Sequence, residues 1–210
     1  MSALVKVVRA RWGDIGALAA LAATAMRDLP AAGWLVSDPG WRTAVLTAYL
    51  RIHVEHALMF GEIDVIRDDE TGGLVGAAVW LHRYRPIPPP AGYPHRLADT
   101  CGGHADRFTR LEELLAKQHP AEAHHHLAWL AVTPAAQQQG HDHALLAHHH
   151  ARLDRTGIHA YTVTADEQVG DWYARHGYTP HNKTPAGGGL VLHGMWRPSP
   201  PPEDDKDEGD

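Results

Sequence analysis

A chain of 210 residues that is 44% hydrophobic can bury one substantial core, and its single cysteine, Cys101, excludes an internal disulfide. Its net charge of −6 sits mostly in Glu203, Asp204, Asp205, Asp207, Glu208 and Asp210 at the C-terminal end, against Lys206, so the body is close to neutral. That balance excludes a nucleic-acid footprint and a polybasic membrane surface; without an apolar run near the ~18 residues of a membrane span, or a leader pattern, a cytoplasmic protein is expected.

In chain order, Leu4 to Val8 reads as a strand and the Ala/Leu-rich Arg11 to Arg27 as a helix, with Asp14 early and Arg27 late to suit its dipole. Ser37 or Asp38 caps a second helix with Pro39 in its first turn; Val45, Leu46, Tyr49, Ile52 and His53 recur at helical spacing to about Ala57. Glu62 to Arg67 and Leu74 to His82 form an antiparallel hairpin around Asp68 to Gly73. The Pro- and Gly-rich Arg83 to Gly103 is too long for a simple connector and reads as an ordered binding loop, given Tyr84 and Tyr93. A helix follows over Ala105 to Lys117, then a strand covered on both faces over His124 to Val132, ended by Pro134. Asp142 to Arg155 is helical, Ala160 to Thr164 a strand, and Glu167 to Arg175 a helix; Tyr178 to His181 and Leu190 to Trp196 close the sheet. The body spans 1–198 as one domain, and 199–210, with Pro200 to Pro202 before the acidic run, is expected to be disordered.

The strand ending Leu130, Ala131, Val132, Thr133, Pro134, then Gln137, Gln138, Gln139 and Gly140, then a helix, has a direct use. Loop amides and a helix N-terminus make a cradle for a pyrophosphate, although the same pattern also describes an ordinary βα turn. Leu-x-Val-x-Pro, Gln-x-x-Gly and the Leu145–Leu146 pair resemble the acetyl-CoA motif of the GNAT superfamily. Trp172 to Tyr178, with Tyr173, Gly177 and Tyr178, resemble that family's helix-to-strand junction. The resemblance covers roughly residues 3 to 197. It implies an α/β (α+β) GNAT fold: a mixed, mostly antiparallel sheet of 6–7 strands, splayed at the fourth, with helices on both faces.

Carried over, the resemblance implies an acyl-CoA-dependent N-acetyltransferase in which a small-molecule amine attacks the thioester directly. Leu130 and Val132 would pair with the pantetheine of acetyl-CoA or another acyl-CoA, and Gln137, Gln138, Gln139, Gly140, His141, Asp142 and His143 would face its pyrophosphate. Tyr173 would protonate the leaving thiolate. His126 would be the base, with His124 on the same strand face as second candidate. No nucleic acid or membrane is expected as a partner, and a homodimer is compatible with this reading.

The sequence departs from the family pattern at three places. Gln138 stands at the first Gly of the loop, Asp142 at its final small residue, and Val169 where an Asn often reaches the pantetheine. A carboxylate ~4 Å from a phosphate charge repels it by roughly 4 kcal/mol at an effective dielectric of ~20, or ~1 kcal/mol in a wet site. The alternative reading is therefore a repurposed or inactive GNAT-fold domain, with another ligand or CoA-independent acid–base chemistry at His141–Asp142–His143. Eight histidines crowd residues 124–150, but their spacing makes no chelating pair on the helix and no metal is expected. His141 and His143 are expected to be exposed. A site from His126, His141, Asp142 and His143, or a thiol nucleophile at Cys101 beside His104, would need geometry that sequence does not supply. The acceptor pocket is expected between the 83–103 loop and the helices near Trp34 and Trp41.

Overall fold

A computed structural model describes residues 5–201. The acidic tail, and Leu4 at the start of the expected first strand, lie outside the described residues. Seven strands form one sheet: β1 (Val7–Arg9), β2 (Gly61–Arg67), β3 (Leu74–Arg83), β4 (His124–Val132), β5 (His159–Thr164), β6 (Thr179–Gly187) and β7 (Leu190–Arg197). Their order is β1-β2-β3-β4-β5-β7-β6, and every neighbouring pair is antiparallel except β4–β5. The helices are α1 (Ile15–Met26), α2 (Pro30–Leu35), α3 (Pro39–Phe60), α4 (Tyr93–Cys101), α5 (Ala105–Gln118), α6 (His141–Thr156) and α7 (Glu167–Ala174). None is long and apolar enough to cross a membrane.

Strand alternation divides the core into two layers. Ile63, Val65, Ala77, Val79 and Trp129 turn to one face and pack with Leu18, Ala22, Leu50 and Val54 of α1 and α3. Ile66, Trp80 and Leu127 turn to the other and meet Leu145, Leu146 and Leu153 of α6, with Tyr173 of α7.

Three expectations change. Residues 93–101 form α4 rather than loop, with Pro94 in its first turn, where a missing N–H costs nothing. Pro30 likewise opens α2 after an extended Leu29. β6 runs on to Gly187 through Pro180 and Pro185, with register shifts at both; it is an edge strand, where a prolyl nitrogen can face away from the ladder. The cap of α3 is Asp38, whose Oδ1 accepts from the Gly40 N–H at 2.8 Å.

The feature that positions the site is at β4. Its parallel pairing with β5 covers only His124↔His159 to Leu127↔Thr162. On its other edge the ladder passes from Val79↔Trp129 to Trp80↔Leu127, leaving Ala128 as a bulge. A bulge bends its strand and raises the local twist, and beyond Leu127 the two parallel strands part.

Candidate active site

The gap between β4 and β5 opens into a cavity of about 690 Å³ that continues between α3, α5 and the segment before α4. Leu130, Val169 and Tyr173 line one end, His126, Ala128 and Trp129 the middle, and Arg83, Tyr49, His53, Tyr93 and Glu112 the rest. The cavity therefore brings Tyr173, His126 and Leu130 together from three elements. Val132 and the 137–143 loop are not on its wall.

Tyr173 is buried, and burial raises its hydroxyl to about 12 while a hydrogen bond with the Thr162 side chain opposes the rise. It stays a neutral donor across the physiological range. His126 is buried with Nδ1 unpartnered. Burial, then His119 and Arg83, hold its pKa well below 6.5, so the ring is a neutral acceptor. His124 shares its strand face but not the cavity. Its Nδ1 lies 2.6 Å from the Glu122 carbonyl and its Nε2 3.3 Å from His119, which makes it a core histidine behind the wall.

The loop at the end of β4 holds two residues in the left-handed region of backbone space, while its Gln137 and Gln139 amides donate to the Pro134 and Ala136 carbonyls at 3.4 Å. Gln138 adopts φ +64°, alone among non-glycine residues described, and Gly140 adopts φ +76° at the cap of α6. A side chain in this region costs about 1–2 kcal/mol, and here it occupies a position the resemblance gives to glycine. Asp142 Oδ1 accepts the His143 N–H at 2.9 Å, so one amide of the new helix already has a carboxylate. The expectation of two exposed histidines is corrected. His143 is exposed and paired at 3.1 Å with His176, whose Nδ1 donates to the Trp172 carbonyl at 2.8 Å; His141 is half-buried with Nδ1 enclosed and unpartnered.

Other sequence candidates separate in space. Among the described residues no group of three or more His, Cys, Asp or Glu side chains is placed to hold a metal ion, so His126, His141, Asp142 and His143 do not assemble. Cys101 is a buried core residue whose thiol is raised to about 12 by burial and by the charge of Glu112, the opposite of a nucleophilic thiolate. Trp41 is 66% exposed and Trp34 lines a separate cavity beside Gly188 and Gly189. The 83–93 segment does line the main cavity, through Ile87, Pro88 and Tyr93.

Sequence reasoning missed Glu112. Its Oε1 accepts from Tyr49 Oη at 3.0 Å and from Tyr93 Oη, and lies 3.3 Å from His53 Nε2. Burial, followed by this carboxylate, raises the hydroxyls of both tyrosines, keeping them protonated donors. The available signal was Tyr49 and His53, four residues apart on one apolar helix face.

Residues 115–197, from the end of α5 through β7, match the family model described as an acetyltransferase (GNAT) domain. The fold superposes on a histone acetyltransferase HPA2 and related acetyltransferase from Corynebacterium glutamicum with a TM-score of 0.71, at 28% identity over 97% of this chain and 100% of that one. Residues 115–197 therefore carry a GNAT acetyltransferase domain, on a chain whose fold is the GNAT fold. The GNAT fold also aligns with arylalkylamine N-acetyltransferase 2 of Aedes aegypti, TM-score 0.64 at 13% identity over 92% and 98% of the two chains. The ribosomal-protein-S18-alanine N-acetyltransferase of Escherichia coli aligns at TM-score 0.54 and 14% identity over 96% and 98%. Identities this low speak to fold alone. No curated protein sequence matches. With the GNAT domain, the class of the protein is that of acyltransferase enzymes.

Proposed function

We propose that the protein is an acyl-CoA-dependent N-acyltransferase acting on a small amine by direct attack. The observation behind this reading is the continuity of one cavity from the unpaired edge of β4, past Tyr173, to His126 and the tyrosine-lined end. The backbone of Ala128 to Val132 faces the gap without a β5 partner, which suits an extended pantetheine arm. The Gln138 and Gly140 conformations suit a pyrophosphate, and Asp142 opposes it.

In this mechanism the amine lone pair forms the N–C bond to the thioester carbonyl carbon as the C–S bond breaks, and the amine loses one proton. Tyr173, neutral at about 12, donates a hydrogen bond to the departing sulfur. His126 is held too far below 6.5 to keep an ammonium proton; its free nitrogen instead orients the neutral amine or passes the proton to water. The apolar walls exclude competing solvent.

Calorimetric titration with acetyl-CoA, followed by thiol release with small amines, tests the reading. Binding is expected at micromolar strength, with Tyr173→Phe lowering kcat about a hundredfold at unchanged affinity. Full turnover by Tyr173→Phe would remove the assigned donor. No binding heat would favour the second reading, a GNAT-fold domain without acyl-CoA, which the Asp142–His143 hydrogen bond supports.

A further inference from the structure

Arg83 ends β3 facing the cavity, and no carboxylate among the described residues pairs with it. Its Nε is closed off from solvent and bonds to nothing, and burial alone depresses its pKa, with no carboxylate opposing. Around it lie imidazoles: His56, His119, His124 and His126 all feel its charge. Other half-buried guanidinium groups are satisfied: Arg67 by Asp14, Arg96 by Glu55, Arg197 by Asp154, and Arg42 by the carbonyls of Val36, Arg27 and Ser37. A charge drawn out of water is tolerated when something pairs with it, and the planar fork of Arg suits a carboxylate.

The partner is not a cofactor phosphate. Arg83 stands opposite His124 at the start of β4, and Val132, where the phosphate loop begins, is eight residues further on, ~26 Å at strand rise. His126, by contrast, stands opposite Leu81, two residues from Arg83 on the same face. We infer that Arg83 binds a carboxylate of the acceptor, so that the acyl-accepting substrate is an amino carboxylate with an apolar body, its amine toward His126. One cation among neutral imidazoles matches a monoanion better than a phosphate. The placement of the amine rests on the acyltransferase reading; the anion site does not.

The test uses binding and turnover on the full chain. N-acetyl-L-phenylalanine and N-acetyl-L-leucine are titrated against N-acetyl-2-phenylethylamine and N-acetyl-3-methylbutylamine, which differ by the carboxylate. At least one carboxylated ligand should bind about tenfold or more tighter than its counterpart, and Arg83→Gln should erase the difference while Arg83→Lys keeps part of it. Arg83→Gln should melt at the same temperature or higher, because it removes an unpaired charge; a fall of more than a few degrees would assign Arg83 a structural role and overturn the proposal. So would carboxylated ligands that bind no better than the others, or not at all. With acetyl-CoA, L-phenylalanine or L-leucine should outperform the matching amine, with Arg83→Gln raising KM more than it lowers kcat; equal use of the plain amines would overturn the proposal and leave the acyltransferase reading intact. Arg83-dependent binding without acetyl-CoA binding would sink the acyltransferase reading and uphold the anion site.

Discussion

His125 and His126 are neighbours on β4, and their rings serve opposite sides of the sheet. His125 Nδ1 meets His149 Nε2 at 2.8 Å, His149 Nδ1 meets Asp64 Oδ2 at 2.9 Å, and Tyr84 donates to His125 Nε2. Because Asp64 can only accept, the chain runs one way: Tyr84 to His125 to His149 to Asp64, each imidazole neutral and its tautomer set. Arg9 forms an ion pair with Asp64 Oδ1 at 2.9 Å, though that oxygen accepts no hydrogen bond, and Trp80 stacks on His149 with centroids 3.9 Å apart. On the cavity side His126 keeps an unpartnered nitrogen and Arg83 an unpaired charge. His125 and His149 are thus consumed by folding under α6 while His126 is left open in the cavity, and hydrogen-bond satisfaction distinguishes these rings.

Acid should break both sides at once, with the largest effect. Burial lowers His119, His125 and His150 to about 3 from an ordinary 6.5. Each binds its proton more readily in the unfolded chain, so stability present above 6.5 is lost as pH falls toward 3. At pH 5 the three together should cost on the order of 6 kcal/mol, comparable to a whole domain's stability. Urea unfolding at pH 7 and pH 5 reads this, and coincident curves would mean the rings ionise without leaving the fold.

At neutral pH, Asp64→Ala should cost about 1–3 kcal/mol by leaving the His149 Nδ1–H without its acceptor, whereas His126→Leu should cost less than about 1 kcal/mol because it breaks no hydrogen bond at Nδ1. Equal losses in denaturant titrations would abolish the distinction drawn between the two histidines. Smaller effects belong to the loop. Asp142→Ala should tighten acetyl-CoA by about 1 kcal/mol, roughly fivefold, as suits an exposed site; weaker binding would make the carboxylate a useful cap rather than an obstacle. Gln138→Gly should raise stability by about 0.5 kcal/mol, since the strain relieved slightly exceeds the entropy glycine adds to the unfolded chain.

Local pattern made much of the fold legible. The β2–β3 hairpin followed from Asp68 to Gly73, α3 from Asp38 and Pro39, and β4 with its loop from an apolar run ended by Pro134. α4 was hidden because Pro94 reads as a breaker until its place in a first turn is known. Tyr173, His126 and Leu130 could be named from motif position. Arg83, Glu112, Tyr49 and Tyr93 could not: Tyr49 and Glu112 are 63 residues apart when they bond, and no local spacing encodes that meeting.

The sequence alone determined the order of the seven strands and of five of the seven helices, and where the loop after β4 falls, because periodicity, caps and turn residues act over a few positions. Only the tertiary structure decided which histidines are satisfied, that the cavity is continuous, and that Arg83 stands in it without a partner among the described residues. Burial and charge pairing arise where distant segments pack, and a side chain's chemistry depends on what the fold has left for it to bind.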